Sequence, residues 1–234
     1  MIEPTRIRVL NEKPEVAGRY VVYWMQQSQR EAFNHALEFA IQEANRLSLP
    51  PLVVFGITSD YPEANLRHFT FMLEGLRETQ KALGKRGITF VLRMGAPDAL
   101  ALSLAKEAAL LVCDRGYLRH QVEWRETVAR HAPCRVVQVE SDVIVPVNVV
   151  SDKAEYAART IRPKINKHAF TYLKGLRRSS VSKPSTGLDI HGEQLDHLPE
   201  LLSKRGLDAS RVQPAFASCS TDRNGWTLCK EDYV

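Results

Sequence analysis

The sequence is poor in most features that announce a mechanism. Its 234 residues include four cysteines, Cys113, Cys134, Cys219 and Cys229. None forms a C-x-x-C pair or stands at the short spacing from a His or Cys partner that a zinc site needs, so reduced structural thiols are expected. No apolar run approaches the roughly 18–20 residues of a membrane helix. The amino-terminal MIEPTRIRVLNEKPEVAG is too charged for the apolar centre of a signal peptide. A cytoplasmic protein without a membrane partner is the expectation. The chain also has no G-x-G-x-x-G or G-x-x-x-x-G-K-[ST] after any candidate strand, and no G-x-S-x-G or H-E-x-x-H. The standard dinucleotide, Walker, hydrolase-elbow and zinc-protease fingerprints are therefore excluded.

What remains is an ordinary globular composition, 44% hydrophobic and 25% charged, which argues against disorder of the whole chain. The length suits one sizeable domain with an extension. The net charge of +5 is unevenly spread: residues 1–150 carry 18 Lys/Arg against 17 Asp/Glu, residues 151–183 carry 9 against 2, and residues 184–234 carry 5 against 8. A basic stretch of this kind can follow nucleic-acid phosphates, so DNA binding through 151–183 is one expectation and a solvated helix face is the other. Tyr156, Phe170 and Tyr172 lie among its cations, where they stack on bases or form a packing face.

Hydrophobic periodicity gives the fold class. Five short β-branched or aromatic runs, YVVYWM (20–25), LVVFGI (52–57), TFVLRMG (89–95), LLVCD (110–114) and RVVQVES (135–141), have the continuous apolar character of strands buried on both faces. Between them, residues 26–49, 64–84, 97–109 and 118–131 read as helices. Phe33, Ala36, Leu37, Ala40 and Ile41 are at helical spacing in the first, and Pro50-Pro51 stops it. In the second, Leu66, Phe69, Phe71, Met72, Leu73, Leu76 and Leu83 form a broad apolar side. Alternating strands and helices predict an α/β domain, a doubly wound, open, parallel five-stranded sheet of Rossmann-like type. The expected organisation is an N-terminal arm over 1–19 and the α/β domain over 20–150. A basic helical extension over 151–178, broken at Pro163, and a linker and partly irregular tail over 179–234 follow. The linker is SSVSKPSTG (179–187), and a short helix is expected near 193–205.

In such sheets ligands bind beyond the carboxyl ends of the strands. The predicted rim is 25–30, 57–60, 94–96, 114–119 and 140–145. Asp114, with Arg115 and Arg119, is its best polar cluster, although a strand-terminal Asp also commonly caps the loop that follows. Trp24 reads as a core residue whose ring edge can reach the crevice.

Four segments, VVYWMQQSQREAFNHAL (21–37), FTFMLEGL (69–76), LVCDRGYLRHQVEW (111–124) and VIVPVNVVSDKAEYAARTIRPKI (143–165), resemble the N-terminal domain of class II cyclobutane pyrimidine dimer photolyases. The most specific patterns are Y-W-M-x-x-x-Q-R-x-x-x-N-x-A-L and E-Y-A-A-x-T-x-R-P-K, and the likeness covers about 5–175. It departs from the family at Ala32 and Phe33, where more polar residues often stand. The resemblance implies an antenna domain holding a deazaflavin or folate, which passes excitation to a reduced FAD for light-driven repair of pyrimidine dimers in DNA. In that family the FAD lies in a helical C-terminal domain that this chain ends before. The resemblance therefore implies no catalytic or metal-binding residue here, no activity alone, and FAD only if such a domain is supplied. Carried onto matching positions, Trp24, Met25, Gln29, Arg30 and Asn34 after the first strand, with Asp114, Leu118 and Arg119 after the fourth, are the expected pigment walls. Gln29, Arg30 and Asn34 can equally cap the next helix or join the two family domains. A flavin-carrying domain or a second copy is the expected protein partner. The alternative is a non-catalytic nucleotide-binding or interaction domain that retains the fold.

Overall fold

Runs of β-branched and aromatic residues with no polar face can satisfy their backbone only inside a sheet covered on both sides. The computed structural model describes residues 2–195 apart from 60 and 63, and in it these runs do so. The strands are β1 (Ile7–Val9), β2 (Tyr20–Met25), β3 (Pro51–Ile57), β4 (Thr89–Met94), β5 (Ala108–Asp114) and β6 (Arg135–Val139). The sheet order is β1-β6-β5-β2-β3-β4, with every pairing parallel except β1 on β6. All residues of β2 and β5, the two central strands, are buried.

The helices between the strands are α1 (His35–Arg46), α2 (Leu66–Lys85), α3 (Pro97–Ala105) and α4 (Arg119–His131). Alternation along β2 divides the core between the two faces of the sheet. Val21, Tyr23 and Met25 pack with α1 and α2, whereas Tyr20, Val22 and Trp24 pack with α3 and α4. The winding therefore reverses between β2 and β5, as a doubly wound sheet requires.

The sheet has six strands rather than five. The sixth, β1, lies within the expected N-terminal arm and pairs antiparallel with β6, Ile7 opposite Val139 and Val9 opposite Val137. Three residues, none of them buried, carry too little pattern to read. Arg6, itself buried, holds this segment: its guanidinium donates to the carbonyls of Glu140, Val143 and Ile144 at 3.1, 2.8 and 2.5 Å and pairs with Glu3 at 3.1 Å. Before β2, Gly18 runs so close to β5 that a Cβ there would lie 2.2 Å from the Ala109 nitrogen.

Three helix boundaries also differ. The first helix starts at His35, and residues 26–34 form a loop in which Phe33 has φ +52° and is 72% exposed. Phe71, expected on the buried side of α2, is exposed. The third helix stops at Ala105 and the strand after it begins at Ala108, because Ala108 pairs with Tyr20 and Ala109 is taken into the strand as a bulge before Leu110 pairs with Val21. Beyond the sheet lie α5 (Val147–Val150) and α6 (Ala158–Tyr172). Helix α6 runs through Pro163 without breaking and ends at Tyr172, short of 178. It has no buried residue.

The stretch expected as a linker is fastened to the sheet domain. Arg86, at the end of α2, pairs with Glu31 and Glu38 at 2.9 and 2.8 Å and donates to the Ser179 carbonyl at 3.0 Å. Ser179 N–H donates to Glu38 at 2.6 Å, and Arg178 also pairs with Glu31. Ser185 is fully buried and accepts two hydrogen bonds from Thr89, its Oγ from the Thr89 N–H and its carbonyl from the Thr89 hydroxyl, both at 2.7 Å. Leu188 and Ile190 then pack on the α3/α4 face. Glu193 N–H reaches the Leu92 carbonyl of β4 at 2.6 Å. The expected helix at 193–205 lies almost wholly outside the described residues, and so does the rest of the tail. Its first residues, 193–195, are not helical. Among the described residues no helix is long and apolar enough to cross a membrane.

His35, the first residue of α1, has its Nδ1 buried without a partner among the described residues, and burial, with Arg6 nearby, lowers its pKa to about 4. A folded-state pKa below the unfolded value means the unfolded chain takes up the proton first, so stability falls as pH drops through 6.5 towards 4. Urea denaturation at pH 7 and pH 5 should show the native protein losing more stability across that interval than His35→Gln does.

Candidate binding cleft

The loop after β2 is shaped by one residue on the neighbouring strand. Asp114, the last residue of β5, is buried, and its Oδ2 accepts the backbone N–H groups of Gln26, Gln27 and Ser28 at 2.9, 2.8 and 2.9 Å. Its Oδ1 accepts the Tyr23 hydroxyl at 2.8 Å. Burial pushes the Asp114 carboxyl above the usual Asp range against the pull of these donors, and it drives the Tyr23 phenol well up. Asn34 completes the arrangement from the other end of the loop. Its Oδ1 caps α1 by accepting Leu37 N–H at 2.9 Å, and its Nδ2 lies 3.0, 2.9 and 3.0 Å from Tyr23 Oη and the carbonyls of Ser28 and Arg30.

Held against the end of β5 in this way, the loop borders a cleft of about 790 Å³ beyond the ends of β2 and β3. Trp24, Met25 and Gly56 lie at the strand ends, Phe69, Met72 and Gly75 come from α2, and Gln121 and Trp124 come from α4. Aromatic rings brace its mouth. His120 stands edge-on to Tyr61 and to Trp124, with centroids 4.9 Å apart in both pairs.

The polar groups around the cleft fall into two sets. Gln121 Nε2 donates to Gln27 Oε1 at 2.9 Å, Gln121 Oε1 accepts Leu118 N–H at 3.2 Å, and Gln29 Nε2 donates to the Gln26 carbonyl at 3.2 Å. By contrast, Trp24 Nε1 and both side-chain polar atoms of Gln26 are buried with no hydrogen-bond partner among the described residues. Buried polar groups without partners are uncommon and ask for an explanation.

Of the residues expected at the site, Trp24, Met25 and Gln29 line the cleft. Arg30, Asn34 and Asp114 do not: they build the loop behind it, Arg30 through Ser141 at 3.0 Å and Asp142 at 3.6 Å. Leu118 and Arg119 lie at the exposed start of α4, away from the cleft. Gln121 and Trp124, not expected at the site, stand within the next turn or two of the same helix and face inward instead. Gln26 falls inside the predicted rim 25–30, but its freedom from protein partners has no sequence signature. In the basic stretch, Tyr156 and Phe170 are 83% and 88% exposed, whereas Tyr172 meets Thr5 at 3.0 Å and lies beneath the Arg6 guanidinium.

A doubly wound sheet with an aromatic cleft near its switch point defines a Rossmann-like domain with a candidate ligand cleft. Comparison with known proteins specifies it further. The DNA photolyase family model matches residues 21–184, and the chain belongs to that family. It is 44% identical over 211 residues to a deoxyribodipyrimidine photo-lyase of Methanothermobacter thermautotrophicus, covering 90% of this chain and 47% of that protein. It is 38% identical over 167 residues to the corresponding protein of Potorous tridactylus, covering 69% of this chain and 31% of that one. The chain thus spans about half or less of the length of these relatives, and it corresponds to their N-terminal region. An archaeal photolyase from Sulfolobus tokodaii, described with two FAD molecules, has the same fold, with a TM-score of 0.60 at 13% identity over 78% of this chain and 41% of that one.

Asp114→Asn replaces a charge-assisted acceptor of three amides with a neutral amide. It is expected to cost about 3 kcal/mol, measurable as a lowered urea midpoint, and to loosen the 26–28 loop in amide hydrogen exchange.

Proposed function

We propose that the cleft holds a planar pigment absorbing in the near-ultraviolet or blue, a deazaflavin or a folate, and that this domain is the light-harvesting part of a deoxyribodipyrimidine photo-lyase. When bound, such a pigment supplies excitation energy to a reduced FAD carried elsewhere, and splitting of pyrimidine dimers in DNA belongs to that larger assembly. The observation that carries the reading is the cleft itself: aromatic and apolar walls around about 790 Å³, lined in part by Trp24 and Gln26, whose side-chain polar atoms are buried without a partner among the described residues. Planar heteroaromatics favour such a site, mostly apolar with a few orienting polar groups. In this arrangement Trp24, Tyr61 and Trp124 offer aromatic surface to the ring, while His120 braces Tyr61 and Trp124 edge-on.

A nucleotide fits less well. Among the described lining residues none is Lys or Arg, so phosphates would meet no cation there.

Titration with 8-hydroxy-5-deazariboflavin and with methenyltetrahydrofolate, followed by absorption after gel filtration, tests the reading. One of them should co-elute, and a protein that retains neither would overturn it. Gly75 gives the control, since a Cβ there meets no atom within 4 Å and the residue lines the cleft. Gly75→Ala should raise stability by about 1 kcal/mol through helix propensity. Gly75→Leu should project into the cleft and weaken pigment binding by roughly five- to a hundredfold, the equivalent of about 1–3 kcal/mol of overpacking, with the fold unchanged by circular dichroism.

The exposed Tyr156 and Phe170 favour a second, separate reading, contact with DNA through the basic stretch 151–183. Single-stranded DNA should then bind at low salt, weaken steeply as salt rises, and bind less well to Tyr156→Ala/Phe170→Ala. No binding at low salt would dismiss this reading.

A further inference from the structure

We propose that Gln26 selects the ligand's ring by its lactam edge, an N–H beside a C=O, and so acts as a specificity-determining residue of the cleft. The inference rests on the pigment reading above and adds what part of the ring is read. A carboxamide presents one donor and one acceptor side by side, and Gln26, which lines the cleft, has both buried and without a partner among the described residues. The group that satisfies both at once carries the complementary pair, an acceptor for the Gln26 N–H₂ and a donor for its oxygen. A cyclic lactam or imide does this, as in the pyrimidine ring of flavins and deazaflavins and the oxo-pterin ring of folates. A carboxylate, a phosphate or a bare hydrocarbon ring would leave at least the Gln26 oxygen unpaired.

The surroundings of Gln26 suit this task. Its backbone N–H is held by Asp114 Oδ2 at 2.9 Å and its carbonyl by Gln29 Nε2 at 3.2 Å, so the residue is fixed on both sides while its side chain stays uncommitted. A polar group locked by its neighbours before the ligand arrives loses little freedom on binding. The neighbouring glutamines are engaged with protein partners: Gln27 and Gln121 with each other, Gln29 with Gln26. Trp24, two residues earlier and 1% exposed, adds one unpartnered donor in the same cleft, available to a second acceptor on the ring.

The experiment measures affinities of native protein and Gln26→Leu for 8-hydroxy-5-deazariboflavin, riboflavin and their N3-methyl derivatives, with methenyltetrahydrofolate as a third ring. In the native protein, N3-methylation should weaken binding at least roughly tenfold, because it removes the donor that faces the Gln26 oxygen. In Gln26→Leu the parent compounds should fall to the level of their methylated forms, and methylation should have no further effect. If the parents bind the native protein but methylation is harmless, or weakens both proteins equally, Gln26 does not read this edge and the pigment reading alone survives. If the native protein binds none of the three rings, both fail. Should Gln26→Leu not fold by circular dichroism, Gln26→Ala takes its place in the same comparison of parent and methylated rings, with the same outcomes for and against.

Discussion

The buried Asp114 carboxylate is the point from which the site is organised. It lies at the end of a fully buried strand, where an unpaired charge would be costly, and it is satisfied by Tyr23 and three consecutive amides of the next strand's exit loop. One carboxylate therefore fixes where β2 stops, prevents residues 26–34 from continuing as a helix, and moves the start of α1 to His35. The loop held in this way supplies Gln26, Gln27 and Gln29 to the wall of the cleft. A neutral or smaller residue at 114 would leave the sheet intact and the loop without a template.

Much of the sheet was legible because its strands are buried on both faces, and continuous runs such as Tyr20–Met25 and Ala108–Asp114 have few other interpretations. Strand β1 was hidden since Ile7–Val9 is short and partly exposed, and its place depends on contacts that Arg6 makes more than 130 positions away. Phe33 misled in the opposite sense. It stands at helical spacing from Leu37 yet points to solvent with a positive φ, because Asn34 ends the loop with a cap.

The site was legible as a region more than as a set of side chains. The exit of β2 carries it, and Trp24, Met25 and Gln29 line it. Reading Asp114 as the cap of the loop that follows is close to its observed role, although the loop it holds belongs to the adjacent strand. Sequence spacing could not say which turn of α4 faces inward, so Leu118 and Arg119 stood in for Gln121 and Trp124. Nor could it distinguish Gln26 from Gln27 and Gln29, since a side chain's lack of partners is decided by everything around it.

The segment that follows α6 bears on how the sheet meets other molecules. Strand β4 is the last in the row, and a bare edge strand is a template for pairing with another chain. Residues 185–193 run along it, with Ser185 bonded to Thr89 and Glu193 to Leu92, and so occupy groups that a foreign strand would otherwise seek. The serines and proline that look like spacer in the sequence act as a selvedge, finishing the cloth so that it does not ravel into its neighbours. A protease cut near residue 180 that freed this segment would leave the cleft's walls in place and bare the edge of β4 to pairing with another chain.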